Sequence, residues 1–218
     1  MESLRWLRDP ADIRRLWDLG VRSLQPIHFL DTAWGGSSRE GVLPPGRGGL
    51  TAPGRALLAE MAALGMLLDL AHMNARTARE CLVAYPGPVF CSHTGFAGVK
   101  PTARNVDAGI ARGLFARSGI IGVTCWRRLL AAGSGRDAWT RAFCATAHAL
   151  AGLAPEGRMR VAVGSDRGAP IRAPAWFFST GHLAEIAEEL GRLGWSRCEV
   201  DGFLGGNARD FLASALPR

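Results

Sequence analysis

Hydrophobic positions along the chain follow two alternating patterns. Short, nearly continuous apolar runs rich in Val, Ile and Leu are separated by longer segments in which apolar residues recur at helical spacing. Continuous apolar runs are typical of parallel sheets, because a strand that is buried on both faces has no polar side to expose. The runs predict five strands, at residues 21–29, 66–72, 88–93, 120–126 and 160–166.

The segments between these runs predict helices with recognisable start and stop signals. Thr51 can cap a helix that ends at Gly65, and Ser196 with Glu199 can form a capping box. Regular alternation of strand and helix indicates parallel strands joined by right-handed crossovers, in a single domain over residues 1–218. The remaining helices are predicted at residues 12–19, 75–85, 106–117, 136–153, 181–193 and from 207 onward.

The positions of the polar residues favour a barrel over a doubly wound sheet. His28, His72, His93 and Asp166 lie at or near the carboxyl ends of four predicted strands. In a (β/α)8 barrel these ends converge on one face, which is where active sites lie. A doubly wound sheet would show a glycine-rich turn after its first strand, and none follows residues 21–29. We therefore predict an α/β fold of the (β/α)8 TIM-barrel type.

Two histidines on successive predicted strands indicate a metal site. Neutral imidazole is a common zinc ligand, and one complete helix separates His72 from His93, so both can reach one ion. Asp166 can hold a metal or accept a proton from a metal-activated water, or it can cap the following turn. Arg104 can bind a substrate carboxylate through two parallel N–H donors of its guanidinium group. Taken alone, His72, His93 and Arg104 are each more often structural residues.

Composition narrows the classes of function. The net charge of +7 comes almost entirely from arginine, because Lys100 is the only lysine. The arginines are scattered over predicted helices without basic tracts interleaved with aromatics, so we predict no nucleic-acid partner. The five cysteines form no C-x-x-C pair, which is typical of a reducing compartment. The first ten residues do not form a secretory signal. No apolar run approaches the roughly 18 residues of a membrane span. These features predict a cytoplasmic protein, unless a signal lies upstream of Met1.

A series of short motifs runs along the chain in one collinear order. These motifs are Leu19-Gly20-Val21-Arg22, His28, Leu50-Thr51, Gly54-Arg55, Glu60-Met61, Leu64-Gly65-Met66, Asp69-Leu70-Ala71-His72, Ser92-His93, Arg104-Asn105, Gly164-Ser165-Asp166 and Gly205-Gly206-Asn207. Together they resemble the membrane (renal) dipeptidase family of zinc hydrolases, over essentially the whole chain.

The resemblance implies metal-assisted hydrolysis of a dipeptide or a similar small amide at a two-zinc site. By this resemblance, His72 and His93 correspond to the histidine ligands of one zinc. His28 corresponds to a histidine that contacts the substrate and the developing oxyanion. Arg104 corresponds to a substrate-binding arginine, and Asp166 to the aspartate that handles the proton of the attacking water. The resemblance also suggests a homodimer.

The amino-terminal end departs from the family pattern. Glu2 falls about where the family has a glutamate that bridges the two metals, but Ser3 replaces the usual following glycine. The His-x-Asp pair that holds the other zinc has no counterpart, so one or two zinc ions are expected, with the second site in doubt. The five strands correspond to the last five of eight, so the barrel should lack about the first three. Three alternatives stay open: a product that begins upstream of Met1, a fragment completed by another polypeptide, or an inactive homologue that binds a small ligand or serves as a partner subunit.

Overall fold

Five parallel strands form the centre of the molecule. The computed structural model describes residues 1, 3–39, 46, 48–166, 176–177 and 179–217. In this part of the chain the strands lie side by side in sequence order, as the repeated strand–helix pattern predicts. The predicted α/β fold with the parallel sheet of an incomplete barrel is therefore confirmed. The strands are Ser23–Leu24 (β1), Leu67–Asp69 (β2), Val89–Thr94 (β3), Ile121–Val123 (β4) and Val161–Val163 (β5).

The helices begin and end close to the predicted positions. Thr51 accepts a hydrogen bond from the Gly54 amide at the start of α2, and the capping box of Ser196 and Glu199 is present at α7. No helix in the described ranges is long and apolar enough to cross a bilayer. The α-helices are Ile13–Asp18 (α1), Ala52–Ala63 (α2), Ala75–Ala84 (α3), Ala108–Ala116 (α4), Arg136–Ala151 (α5), Thr180–Arg192 (α6), Arg197–Asp201 (α7) and Asn207–Ala215 (α8).

The strands are shorter than the apolar runs that predict them. The first run covers residues 21–29, but β1 contains only Ser23 and Leu24. Pro26 has no N–H group to donate, so it cannot continue a regular ladder. In the second run, the Asp69 side chain accepts a hydrogen bond from the Ala71 amide, which turns the chain away from the sheet directly after β2. Polar residues at the ends of these runs therefore lie on turns beyond the strands.

The two faces of the sheet are covered by different helices. Leu68 is aligned with Val89, and Ile121 with Val161, and these residues belong to the main hydrophobic core with α2 to α6. On the opposite face, residues in or next to four of the strands pack against Phe211 of α8. This second cluster contains Leu67, Ile120 and Ala162, with Phe90 packed against it. The carboxyl-terminal helix thus covers the sheet near the beginnings of the strands, away from the ends that carry the histidines.

Asn207 attaches α8 to the sheet. Its side-chain amide donates to the carbonyl oxygens of Arg158 and Val161, each over 2.8 Å. Val161 begins β5 and Arg158 lies three residues before it, so these two hydrogen bonds attach the start of α8 to the start of β5. The predicted start of the final helix at Asn207 is confirmed, and its side chain anchors that helix.

The amino terminus lies beside β1. The Gln25 amide donates to the Met1 carbonyl oxygen over 2.8 Å, and the Ser3 amide donates to the Gln25 oxygen over 2.9 Å. This exchange of bonds with one residue is the pattern of a parallel ladder. Glu2 itself lies outside the described residues, so its predicted role as a bridging ligand stays a prediction.

Two glycines, Gly122 and Gly164, allow β3, β4 and the end of β5 to approach one another closely. A Cβ atom on Gly122 would overlap the carbonyl oxygen of Ser92, and a Cβ atom on Gly164 would meet the same oxygen. Ser92 lies on β3, Gly122 on β4 and Gly164 directly after β5. The absence of side chains at these two positions therefore permits the curvature that brings the ends of β3 and β5 together.

Gly122→Ala should destabilise the fold by about 1–3 kcal/mol, because the added methyl group forces the strands apart. Urea unfolding of the two proteins measures the difference. Gly191→Ala is the matched control, because Gly191 lies in α6 with nothing near its missing Cβ. The control should be unchanged or up to about 1 kcal/mol more stable. Equal stability of Gly122→Ala and the native chain would contradict the close approach of the strands.

Candidate metal centre

Neighbouring parallel strands bring two histidines together. Asp69 of β2 is aligned with Phe90 of β3, so both strands end at the same edge of the sheet. His72 lies three residues after Asp69, and His93 lies within the last two residues of β3. The Nε2 atoms of the two rings are 2.8 Å apart. The two imidazoles that the sequence predicts to share an ion therefore face each other directly.

Asp166 and His28 surround this pair. Asp166 Oδ2 lies 3.7 Å from His93 Nε2, and the Asp166 side chain is one third exposed. The His28 ring lies on the other side, with its centroid 4.5 Å from that of His72. Three imidazoles and a carboxylate, contributed by the ends of four strands, therefore lie close together at one end of the sheet.

Both histidines of the central pair are held in their neutral form. Burial lowers the pKa of His72 and of His93, because an imidazolium would lose its hydration there. The nearby charge of Arg104 lowers both pKa values further. Only a neutral imidazole offers a nitrogen lone pair, so this environment favours metal ligation over ion pairing with Asp166.

Arg104 is buried in the wall of the site. Its guanidinium Nη2 donates to the carbonyl oxygen of His93 over 3.1 Å. The sequence predicts contact with a substrate carboxylate and does not predict this backbone contact. Arg104 therefore supports the end of β3 and also places a positive charge beside the imidazoles.

Three further residues contribute to the site without having been predicted as functional. Asp69 and Ser92 belong to the motifs that carry the family resemblance, but their role depends on contacts between strands. The Asp69 carboxylate accepts from the Ser92 amide over 2.9 Å, and the Ser92 hydroxyl lies 2.8 Å from His93 Nδ1. Phe29 is about half exposed, and its ring centroid is 4.2 Å from that of His28. The only sequence signal for Phe29 is an aromatic residue directly after a candidate histidine.

The arrangement of His72 and His93 fits a divalent metal in part. Two neutral imidazoles with converging Nε2 atoms and a carboxylate nearby are donors that zinc prefers. At zinc–nitrogen distances of about 2.0–2.1 Å, two ligands of a tetrahedral ion are about 3.3 Å apart, so the rings would need to separate by about half an ångström. Among the described residues, no group of three or more His, Cys, Asp or Glu side chains is placed to hold a metal. The donors that converge in the described part of the chain are therefore the two imidazoles, with the Asp166 carboxylate near them.

The sequence matches that of a known protein family. The sequence profile of the membrane dipeptidase family, peptidase family M19, matches residues 1–212. The chain belongs to this family. Membership agrees with the resemblance seen in the motifs.

The chain is also similar in sequence to fungal dipeptidases. Dipeptidase aclJ of Aspergillus oryzae is 27% identical over 216 residues, which cover 95% of this chain and 48% of aclJ. Dipeptidase verJ of Clonostachys rogersoniana is 30% identical over 119 residues, which cover 55% of this chain and 30% of verJ. The chain therefore spans about half the length of the Aspergillus relative.

Solved structures support the same fold. An amidohydrolase from Pseudomonas aeruginosa superposes with a TM-score of 0.80 at 21% identity, covering 99% of this chain and 71% of that protein. A metallo peptidase from Rhodobacter sphaeroides, solved with a phosphinate mimic of the dipeptide L-Ala-D-Ala, gives a TM-score of 0.76 at 23% identity. It covers 94% of this chain and 60% of that protein. At these identities the similarity shows the shared fold.

His93→Ala should weaken Zn²⁺ binding by more than about 100-fold, because it removes one of the two converging nitrogens. Loss of a residue that only hydrogen-bonds to a metal ligand already weakens binding by about 10–100-fold. Competition with a chromophoric chelator measures the affinity. His148→Ala is the matched control, because His148 lies on α5, where its Nδ1 accepts from the Trp195 indole. The control should bind Zn²⁺ like the native chain. Native affinity in His93→Ala would exclude the imidazole pair as the metal site.

Proposed function

We propose that the protein is a zinc-dependent hydrolase that cleaves a dipeptide or a similar small amide. The observation that carries this proposal is the approach of His72 Nε2 and His93 Nε2 to 2.8 Å, with the Asp166 carboxylate 3.7 Å from His93. Membership of the dipeptidase family supports it. So does the dipeptide mimic that the Rhodobacter sphaeroides relative binds.

The residues around the imidazole pair match the steps of amide hydrolysis. His72 and His93 would hold the zinc ion, which would supply the Lewis acidity that polarises the amide carbonyl and activates water at neutral pH. Asp166 accepts a proton from the water as its oxygen attacks the carbonyl carbon. His28 donates a hydrogen bond to the oxygen on which negative charge develops. Asp166 then returns the proton to the amine as the carbon–nitrogen bond breaks, leaving a carboxylic acid and an amine.

Substrate recognition combines one charged and one apolar contact. Arg104 places a guanidinium beside the imidazoles, where it can pair with a carboxylate of a small peptide. Phe29 presents a half-exposed ring beside His28, which suits an apolar substrate side chain. A dipeptide with a free carboxylate and an apolar residue satisfies both contacts.

A non-catalytic role is the second candidate. It is favoured by the finding that the described residues gather no set of three metal ligands. In that case the chain binds a small acidic ligand through Arg104, or pairs with a full-length homologue that performs the chemistry. Metal-dependent turnover distinguishes the two candidates.

The proposal also includes a cytoplasmic location and assembly as a homodimer. A cytoplasmic location is supported by the odd number of cysteines and the lack of a C-x-x-C pair. A homodimer is suggested by the family resemblance alone.

The chain loaded with Zn²⁺ should hydrolyse apolar dipeptides, and a chelator should abolish the activity. Asp166→Asn should lower kcat by about 10²–10⁴-fold, the usual contribution of a general base or acid, because the amide cannot accept the proton. Amine release under saturating substrate measures the rate. Asp201→Asn is the control, because Asp201 is exposed on α7, and it should retain native kcat. Hydrolysis that persists in chelator, or native kcat in Asp166→Asn, would contradict the proposal; Zn²⁺ binding without turnover would favour the second candidate.

Arg104→Lys should raise KM for a dipeptide with a free carboxylate by about tenfold, because lysine cannot form the two-pronged contact. KM for the corresponding dipeptide amide should stay nearly constant. Arg112→Lys on the exposed side of α4 serves as the control for a charge-conserving change. An equal loss for both substrates would assign Arg104 to the support of β3 and not to the substrate.

A further inference from the structure

Asn105 follows Arg104 directly, in the loop that leads from β3 to α4. Both residues are buried, with 4% of Arg104 and 7% of Asn105 exposed. Arg104 lies beside the imidazoles, whereas no step of the proposed hydrolysis uses Asn105. Adjacent residues of a chain move together, so the contacts of Asn105 bear on where Arg104 lies.

The side-chain amide of Asn105 forms hydrogen bonds at both of its ends. Its Oδ1 accepts from the Gly95 amide over 3.1 Å, directly beyond the end of β3. Its Nδ2 donates to the carbonyl oxygen of Lys100 over 2.8 Å and to that of Leu129 over 2.9 Å. Leu129 lies in the loop that follows β4. One buried amide therefore connects the end of β3, its own loop and the loop after β4.

The two loops are packed closely where Asn105 joins them. A Cβ atom on Gly95 would overlap the Leu129 carbonyl oxygen and Asn105 Oδ1, so only glycine fits at this position. Lys100 adds a second connection, because its Nζ donates to the carbonyl oxygen of Leu130 over 3.0 Å. These contacts hold the loop after β3 at a fixed distance from the loop after β4.

Arg104 and Asn105 grip the end of β3 from successive positions. Arg104 Nη2 donates to the carbonyl oxygen of His93, and Asn105 Oδ1 binds the amide of Gly95, on the other side of Thr94. Without the Asn105 side chain, buried backbone groups would lose this partner, which is costly enough to make the loop rearrange. Such a rearrangement would move the Arg104 guanidinium relative to the imidazoles.

We propose that Asn105 is a positioning residue that holds the Arg104 guanidinium beside the imidazole pair, and thereby sets the preference for a ligand with a free carboxylate. The inference rests on the proposed function in one respect, namely that Arg104 binds a carboxylate. Asn105 does not contact the ligand and acts through the loop. A guanidinium that is already held in place binds a carboxylate without first having to be ordered.

The test compares alanyl-leucine with its carboxamide, which lacks the negative charge. In the chain loaded with Zn²⁺, Asn105→Ala should raise KM for alanyl-leucine by about 3–10-fold, because a displaced guanidinium loses part of its contact with the carboxylate. KM for the carboxamide should stay within about twofold of the native value. Amine release measures both constants.

Asn207→Ala is the matched control. Asn207 also donates to two backbone carbonyl oxygens, at the start of β5. Both variants should lower the midpoint of urea unfolding, but Asn207→Ala should keep the native ratio of the two KM values. If Asn105→Ala does not fold, Asn105→Ser removes the same amide while keeping a small polar group, and it should shift the ratio in the same direction.

An equal rise in KM for both substrates in the Asn105 variant would overturn the inference, and so would the same selective loss in Asn207→Ala. A native chain that does not prefer the carboxylate over the carboxamide would also overturn it.

A failure of the proposed function gives a different result. If neither compound is hydrolysed, titration calorimetry with the same two compounds replaces KM by the dissociation constant. A selective loss of alanyl-leucine binding in Asn105→Ala then supports the positioning role although the proposed function fails. Hydrolysis with an unchanged KM ratio in Asn105→Ala would refute the positioning role alone.

Discussion

The parallel register between β2 and β3 is the constraint on which the site depends. Alignment of Asp69 with Phe90 places the ends of both strands at one level, and the two histidines meet there. Successive side chains of a strand point to opposite faces, so a slip of one residue would turn His93 away from His72. Asp69 reinforces this register, because one carboxylate oxygen accepts from Ala71 on its own chain segment and from Ser92 on the neighbouring strand.

Gly122 on β4 and Gly164 directly after β5 determine how closely the neighbouring strands can approach β3. The Ser92 carbonyl occupies space that side chains at Gly122 or Gly164 would take. Because β3, β4 and β5 can curl together there, Asp166 beyond β5 comes within 3.7 Å of His93. The same two glycines therefore permit the curvature of the sheet and the approach of Asp166 to His93.

The sequence predicts the order of the elements well because local signals encode it. Apolar runs locate the five strands, and residues such as Thr51 and Ser196 locate helix starts within a residue or two. Strand lengths are predicted poorly, because hydrophobicity continues past the point where Pro26 or the Asp69 side chain ends the ladder. A sequence can therefore locate a buried segment without giving the extent of its hydrogen bonding.

For each candidate residue, the sequence predicts the strand end on which it lies but not the contacts of its side chain. That His72 and His93 approach each other follows from the topology of parallel strands, which periodicity and motifs indicate. The contact of Arg104 with the His93 carbonyl depends on a loop conformation that no local pattern encodes. The bond between Asp69 and Ser92 depends on register, which is a property of two strands at once.

Backbone strain at the site supports the view that these positions serve chemistry more than stability. His72 has φ of 67° and Asp166 has φ of 49°, in the left-handed region that non-glycine residues rarely adopt. Such conformations cost about 1–3 kcal/mol each and persist only where surrounding contacts impose them. At His72 the contacts are clear: the preceding turn is held by Asp69, and the His72 carbonyl accepts from the Ser38 amide over 2.8 Å. Glycine would relieve the strain at both positions but would remove the imidazole and the carboxylate. The chain instead keeps two strained residues beyond the ends of β2 and β5, where the side chains of both lie close to His93.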